Sequence, residues 1–446
     1  MPCICCYNVK NAKSKELPYA APGQFVTHTE LDVSKLRFHI DESVFILADR
    51  LQGQQPTQGV TQFKDTQKRV GLTLSSCALL WDLPMRNIFK PISCTMYDWM
   101  HCYMIDGVCS VEIGSLMASL KPHGITYEDI HVFLQHWHWP SRFGTSTASG
   151  KQRCGADHAK KWYKEAKFKP SASEMLSLYA VFAFFFTHVC RVPPACAAGV
   201  TCFLLLCDVV DTLQRVSRDE VSPDTLMTRI LRHLQAHKAL YGDANMTAKF
   251  HWVLHIAWQM GRHGILLACF MHERKHRMLK RYSHDICNTS RNFEKGLLSE
   301  ITDHHLSVLE DSDFALINEL LRIQVKPRKE LISTLQAAFG ADCAFTIGHG
   351  ARFDKGHEVA HRGDVVMLIL DGRPVVGRIN VFCVVDVQLF VCIDLYSFID
   401  KTKGASRWRT AGAEPAFVDA EQLLEAVTWS QQDDIMTVIV PPWRPS

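Results

Sequence analysis

The chain is 446 residues long, 47% hydrophobic and 21% charged, with a formal net charge of +3. That length accommodates a large core and two or three domains, and that composition excludes a disordered chain. So small a charge excess excludes a globally basic nucleic-acid binder, and any such surface must be local.

The opening Met1-Pro2-Cys3-Ile4-Cys5-Cys6 has no charged segment followed by an apolar one, so no secretory signal is expected there. The 17 cysteines are scattered, mostly in apolar runs, and read as reduced, buried thiols of an intracellular protein. Cys3-x2-Cys6 has the spacing of half a zinc site, because a tight turn lets two thiolates face one ion; plain packing explains such a pair equally well.

Residues 1–92 read as irregular, with helical spacing over Asp41–Leu51 and around Thr66–Trp81. Ser93–Tyr97 is expected as a short strand. Asp98 then opens a helix over Trp99–Leu120, in which Met100, Met104, Val108, Ile113 and Met117 mark one buried face. Asp98 is a candidate helix cap, and equally a strand-end carboxylate of the kind that holds a catalytic divalent ion.

A helix near Tyr127–His138 and a Ser/Thr/Gly-rich loop over Trp139–Gly155 follow. Within that loop Gly144–Lys151 is superficially like a phosphate loop, but its glycine spacing is wrong and no strand precedes it. Helices are then expected at Ser171–Val189, Ala195–Ser217, Ser222–Tyr241, Lys249–Arg262 and Leu266–Ser283, with two more between Phe293 and Leu321. Prolines 170, 193, 194 and 223 fall at breaks or first turns. The apolar runs Met175–Phe186 and Pro193–Val210 are separated by His188 and Arg191 and closed by Asp208 and Asp211, so they read as buried helices, and no membrane partner is expected.

His251-x3-His255 places two imidazoles on one helix face and would complete, with Cys3 and Cys6, a Cys₂His₂ zinc site that pins the N-terminus onto that helix. Glu273 sits among Arg274, Lys275, Arg277, Lys280 and Arg281. The bland reading is a solvated, ion-paired helix face; the functional one is a metal-ligating carboxylate flanked by cations that hold phosphates.

Beyond Gly340 the texture changes. Val365–Leu370, Asp371-Gly372-Arg373 and Val375–Val385 read as strand, tight turn, strand, with further strands at Val387–Phe398 and Ile435–Val440. This β-rich module over 340–446 is expected to be a small barrel with a partner of its own, and His349, Arg352, Lys355 and Arg362 form either a modest basic edge or a solvated loop.

Several of these residues carry a family resemblance. Asp98-x2-His101 with Gly107 resembles the segment around the second catalytic Asp of cut-and-paste DNA transposases of the CACTA and related superfamilies. Lys249-x-His251-x3-His255 resembles the stretch before their catalytic Glu. His272-Glu273-Arg274-Lys275-His276, with Lys280 and Asn292-Phe293, resembles the segment that carries that Glu, with His272 in place of a Phe. Pro2-Cys3-x2-Cys6-x-Asn8-Val9 resembles their early cysteine pair. The four motifs occur in consistent order over roughly residues 1–310.

The resemblance implies an α+β, predominantly α-helical chain. Residues 1–120 would be the remnant of an RNase H-like core, 121–248 a helical insertion, 249–330 the closing helices and 340–446 the β module. It implies Asp98 and Glu273 as catalytic ligands of Mg²⁺, a structural Zn²⁺ on Cys3, Cys6, His251 and His255, and double-stranded DNA held by Arg274, Lys275, Arg277, Lys280 and Arg281. A nuclear location and a homo-oligomer go with that reading. Only Met1 and Pro2 precede the cysteine pair, where the family carries a strand ending in its first Asp. Asp49, after Val44-Phe45-Ile46-Leu47, is the best internal substitute, although that run suits an amphipathic helix better. The expectation is a transposase-derived DNA-binding protein with an incomplete Asp-Asp-Glu set. The alternatives are a complete transposase whose first exon lies outside this sequence, and a non-enzymatic helical scaffold with a β-barrel adaptor.

Overall fold

The computed structural model describes residues 3–10, 25–75, 78–143, 150–216, 221–269, 293–310, 319–324, 329–340, 342–353, 358–402 and 404–439. The fold is α+β, with helix outweighing strand. It divides into two compact units. The first comprises Met1–Thr126, Asp157–Met175 and Arg191–Cys269, and the second Tyr127–Ala156, Leu176–Cys190 and Phe270–Ser446. The expected insertion at 121–248 is therefore shared between both.

The first unit is helical. Its main helices are α1 (Asp41–Gln54), α2 (Val60–Val70), α3 (Trp99–Tyr103), α4 (Val108–Leu120), α5 (Ala156–Glu165), α6 (Ala197–Arg215), α7 (Pro223–Tyr241) and α8 (Ala248–His263). In α1 the buried Val44, Leu47, Ala48 and Leu51 recur every three or four residues, and Asp41 and Glu42 favour the positive end of the helix dipole. Asp49 lies on this helix and pairs bidentately with Arg86 at 3.0 and 2.6 Å, so it closes no strand. Helix α2 ends at Gly71 in the left-handed region (φ 80°), earlier than the Thr66–Trp81 spacing suggests. Ser222 caps α7 by accepting the Thr225 N–H, with Pro223 in the first turn.

The expected helix Trp99–Leu120 is broken. Asp106 (φ 41°) and Gly107 turn the chain between α3 and α4, and a Cβ on Gly107 would stand 2.2 Å from the Cys102 carbonyl oxygen. Helix α4 is buried almost all round, including Glu112.

Ser93–Tyr97 is a turn and an irregular stretch instead of a strand. Its backbone is satisfied by side chains: Asp41 Oδ1 accepts the Ile92 and Ser93 N–H groups at 2.7 and 3.0 Å. The Gln259 carboxamide accepts from Tyr97 N–H (2.8 Å) and donates to the Thr95 carbonyl (3.1 Å). Within this unit the described strands are the two-residue parallel pair Val9–Lys10 and Val26–Thr27.

Three stretches, Trp99–His123, Ala172–Val189 and Pro194–Arg215, are long and apolar enough to cross a bilayer by length and composition, and each is more than half buried in protein. The described cysteines are all free thiols.

The second unit holds an antiparallel sheet. Its strands are β1 (Trp137–His138), β2 (Glu319–Ile323), β3 (Phe345–Phe353), β4 (Glu358–His361), β5 (Val365–Leu370), β6 (Arg373–Val385), β7 (Gln388–Thr402), β8 (Ala405–Asp419), β9 (Leu423–Ala426), β10 (Trp429–Gln432) and β11 (Ile435–Ile439). The pairing order is β9-β5-β6-β7-β8-β11-β10-β1, and β3 pairs with β2, β4 and β6. The register from Val365↔Arg378 to Leu370↔Arg373 leaves a two-residue turn at Asp371-Gly372, both at positive φ (49° and 74°), as a tight hairpin of this kind requires. Val366 and Leu368 enter one core cluster and Val365 and Met367 another, so β5 is buried on both faces; this explains its unbroken apolar sequence.

Two expectations change here. Glu319–Ile323 is a strand paired with β3, outside any helix. Strand β6 pairs with β7 along one edge and shares the other between β5 and β3, so the sheet forks, and among the described residues its ends are not joined into a closed barrel. The sheet also extends beyond 340–446. His138 stacks on Trp429 with ring centres 4.3 Å apart, and the Ser141 N–H and hydroxyl donate to Asp364 at 2.9 and 2.7 Å.

Candidate metal centre

The N-terminal segment lies along Lys35–His39. Tyr7 N–H donates to the Arg37 carbonyl (3.0 Å) and His39 N–H to the Cys5 carbonyl (2.9 Å). The Asn8 side chain clasps the same stretch, donating to the Lys35 carbonyl (2.8 Å) and accepting the Arg37 N–H (2.9 Å). These bonds fold Cys3–Cys6 into a turn whose thiols face α8.

From α8, His251 and His255 point the same way, as i,i+4 residues do. The four side chains converge and are buried. His255 Nε2 lies 3.3 Å from Cys3 Sγ, 3.5 Å from Cys6 Sγ and 3.1 Å from His251 Nε2. A tetrahedral zinc with bonds of about 2.3 Å to sulfur and about 2.05 Å to nitrogen would set S···N edges of about 3.6 Å and N···N edges of about 3.3 Å. The three distances from His255 fall within a few tenths of an ångström of those edges. Hydrogen bonding alone serves it poorly, since one ring nitrogen of His255 meets three partners and carries at most one proton. Cys3, Cys6, His251 and His255 can therefore hold a metal ion such as zinc.

The electrostatics suit that role. Burial opposes ionisation of Cys3, yet hydrogen bonds from Cys5 and Cys6, the charge of His255 and a hydrogen bond from His251 bring its thiol well below the usual value. Hydrogen bonding to Cys3, then burial, pushes Cys5 and Cys6 the other way. Burial lowers His251 and favours the neutral ring that a metal requires.

Four residues around this cluster have roles that spacing alone did not reveal. The Tyr97 hydroxyl is 3.2 Å from Cys3 Sγ, and its ring stacks on Trp252 and His255. Lys249 sends its ammonium to the carbonyls of His101 (2.9 Å) and Ile105 (2.5 Å), fastening α8 to the end of α3. Gly107 allows the close turn against the Cys102 and Tyr103 carbonyls, and Gln259 holds Thr95–Tyr97. Lys249 and Gly107 were visible as motif residues, but nothing local to them names their partners.

Asp98 caps α3. Its Oδ1 accepts N–H groups from Met100 (3.0 Å) and Cys269 (3.1 Å), and its Oδ2 accepts from His101 N–H (3.3 Å) and from the His101 ring. The capping reading therefore holds. Asp98, His101 and Cys269 also place three metal-capable atoms together. Glu273 and the cations Arg274, Lys275, Arg277, Lys280 and Arg281 lie outside the described residues, as do most of the helix expected at Leu266–Ser283 and residues 144–149 of the Ser/Thr/Gly-rich loop.

Against known proteins, no family profile, no curated protein and no solved structure matches this chain.

Proposed function

We propose that this chain is a zinc-stabilised, DNA-binding protein of transposase descent, with Asp98 and Glu273 as two carboxylates of a metal-dependent strand-transfer set. The observation that carries the reading is the meeting of Cys3, Cys6, His251 and His255 in one buried cluster. These residues come from the first and third of the four motifs along the chain, and the resemblance implies their pairing. Further support comes from Lys249 and Gly107, both motif residues and both packed against α3, which Asp98 caps. The Asp98 carboxylate also binds Cys269 N–H, four positions before Glu273. An RNase H-like core is the finer fold this reading implies, and Mg²⁺ is the ion its carboxylates would take.

A non-enzymatic scaffold is the second reading. Asp98 favours it, because backbone N–H groups and His101 occupy both carboxylate oxygens.

The test is binding of labelled duplex DNA to the zinc-loaded protein, followed by fluorescence anisotropy across a salt series. Binding should weaken steeply with salt, because phosphate contacts release counterions. Replacing Arg274, Lys275 and Arg277 together by Ala should reduce the log–log salt slope by up to about 3. Absence of affinity for any duplex at low salt would leave the scaffold reading standing.

A further inference from the structure

A second cluster of metal-ligating side chains lies in the helical unit and shares no residue with the first. Glu112 comes from the middle of α4, Cys202 from α6, and His233 and His237 from α7. The i,i+4 spacing of the two histidines repeats that of His251 and His255. Glu112, His233 and His237 are 0% exposed and Cys202 is 1% exposed. Glu112 Oε2 is 2.5 Å from His237 Nδ1 and 3.4 Å from His233 Nε2, and one ligand atom from each of the four residues lies within 4.8 Å of the others. Glu112 Oε1, His233 Nδ1 and His237 Nε2 meet no hydrogen-bond partner among the described residues.

An ordinary hydrogen-bonded network explains this poorly. Two imidazoles crowd one carboxylate oxygen, while the other oxygen and one nitrogen of each ring meet no partner among the described residues. Burying a carboxylate costs several kcal/mol unless its charge and lone pairs are both met. A divalent ion meets them: one carboxylate, one thiolate and two neutral imidazoles sum with it to zero charge. The donor set is that of zinc, since magnesium and calcium take oxygen ligands and softer copper(I) prefers sulfur. Because these atoms all lie within 4.8 Å of one another, closing the cluster onto a tetrahedral ion requires no separation to shrink by more than about 1.5 Å.

We infer that Glu112, Cys202, His233 and His237 form a second zinc site, closed and structural, which clamps α4, α6 and α7 together. Total burial of all four ligands leaves no open position for a substrate. This site is independent of the DNA-binding reading and of the Cys3 cluster.

The experiment is zinc analysis and zinc-edge X-ray absorption on full-length protein purified without chelator. Two zincs per chain are expected, averaging about 1.5 sulfur ligands each, because one site holds two thiolates and the other holds one. Cys202→Ser should lower the content to one zinc, now with two sulfurs, and Cys6→Ser should independently remove the other zinc. One zinc bearing a single sulfur in the wild type would uphold this site and remove the Cys3 site. One zinc with two sulfurs, or no zinc, would overturn the inference, as would a Cys202→Ser variant that keeps two. The wild-type spectrum decides even where a variant fails to fold.

Discussion

Cys3 Sγ lies 3.3 Å from His255 Nε2 although the two residues are 252 positions apart. An ion held by Cys3, Cys6, His251 and His255 would act as a clasp between the N-terminal segment and α8. Stripping zinc with a chelator should therefore make Cys3, Cys5 and Cys6 open to alkylation, while Cys154 and Cys383, buried elsewhere, stay protected. Mass-mapped alkylation after brief chelation reads this directly. Equal labelling of all five thiols would indicate global unfolding, and protection of all five would mean that packing alone holds the segment.

Lys249 makes the second prediction. Its ammonium is half-buried and bonds two carbonyls at the end of α3, and burial holds its pKa below the usual lysine value. Lys249→Met keeps much of the stem and removes the donor, leaving two acceptors short of a partner. The expected loss is about 1–3 kcal/mol of unfolding free energy in urea titration. A loss below about 0.5 kcal/mol would mean that water reaches those carbonyls.

The two examples show what the sequence makes legible. Cys3-x2-Cys6 and His251-x3-His255 are each local spacings, so both halves of the centre could be read, and their meeting followed from chemistry. The turn at Asp371-Gly372 and the helices near α6, α7 and α8 were legible for the same reason, since their signals lie within a few residues. Ser93–Tyr97 was misread as a strand because its backbone partners are the side chains of Asp41 and Gln259, which no local pattern announces. Glu319–Ile323 was read into a helical run because its β partner lies beyond another helix, Lys329–Phe339. The cluster at Glu112 escaped the sequence reading for a related reason: the spacing His233-x3-His237 was not singled out, and Glu112 and Cys202 sit singly on two other helices.

Gly107 makes the third prediction. A methyl group there would stand 2.2 Å from the Cys102 carbonyl oxygen and 2.8 Å from that of Tyr103, both backbone atoms that cannot rotate away. Gly107→Ala should force α3 and α4 apart, at a cost of about 3 kcal/mol. Because Tyr97, which touches Cys3, directly precedes the Asp98 cap of α3, the variant should also weaken zinc retention at Cys3. Thermal melting with and without chelator separates the effects: a wild-type melting temperature would show that the turn can relax, which the geometry argues against.

Asp98 makes the last prediction, because capping and catalysis respond differently to the same pair of variants. Asp98→Ala removes the acceptor for three backbone N–H groups and should cost about 1–2 kcal/mol in urea titration. Asp98→Asn keeps one carbonyl oxygen for the Met100 and Cys269 N–H groups and loses the charge and the acceptor facing His101, at an expected cost of about 1 kcal/mol. A cap loses little with that charge, whereas a Mg²⁺ ligand fails without it. If Asp98 belongs to a strand-transfer set, Asp98→Asn should abolish Mg²⁺-dependent nicking of supercoiled DNA at nearly unchanged stability. If the wild type nicks DNA and Asp98→Asn nicks it equally well, the carboxylate serves the helix alone and the metal chemistry must be sought elsewhere.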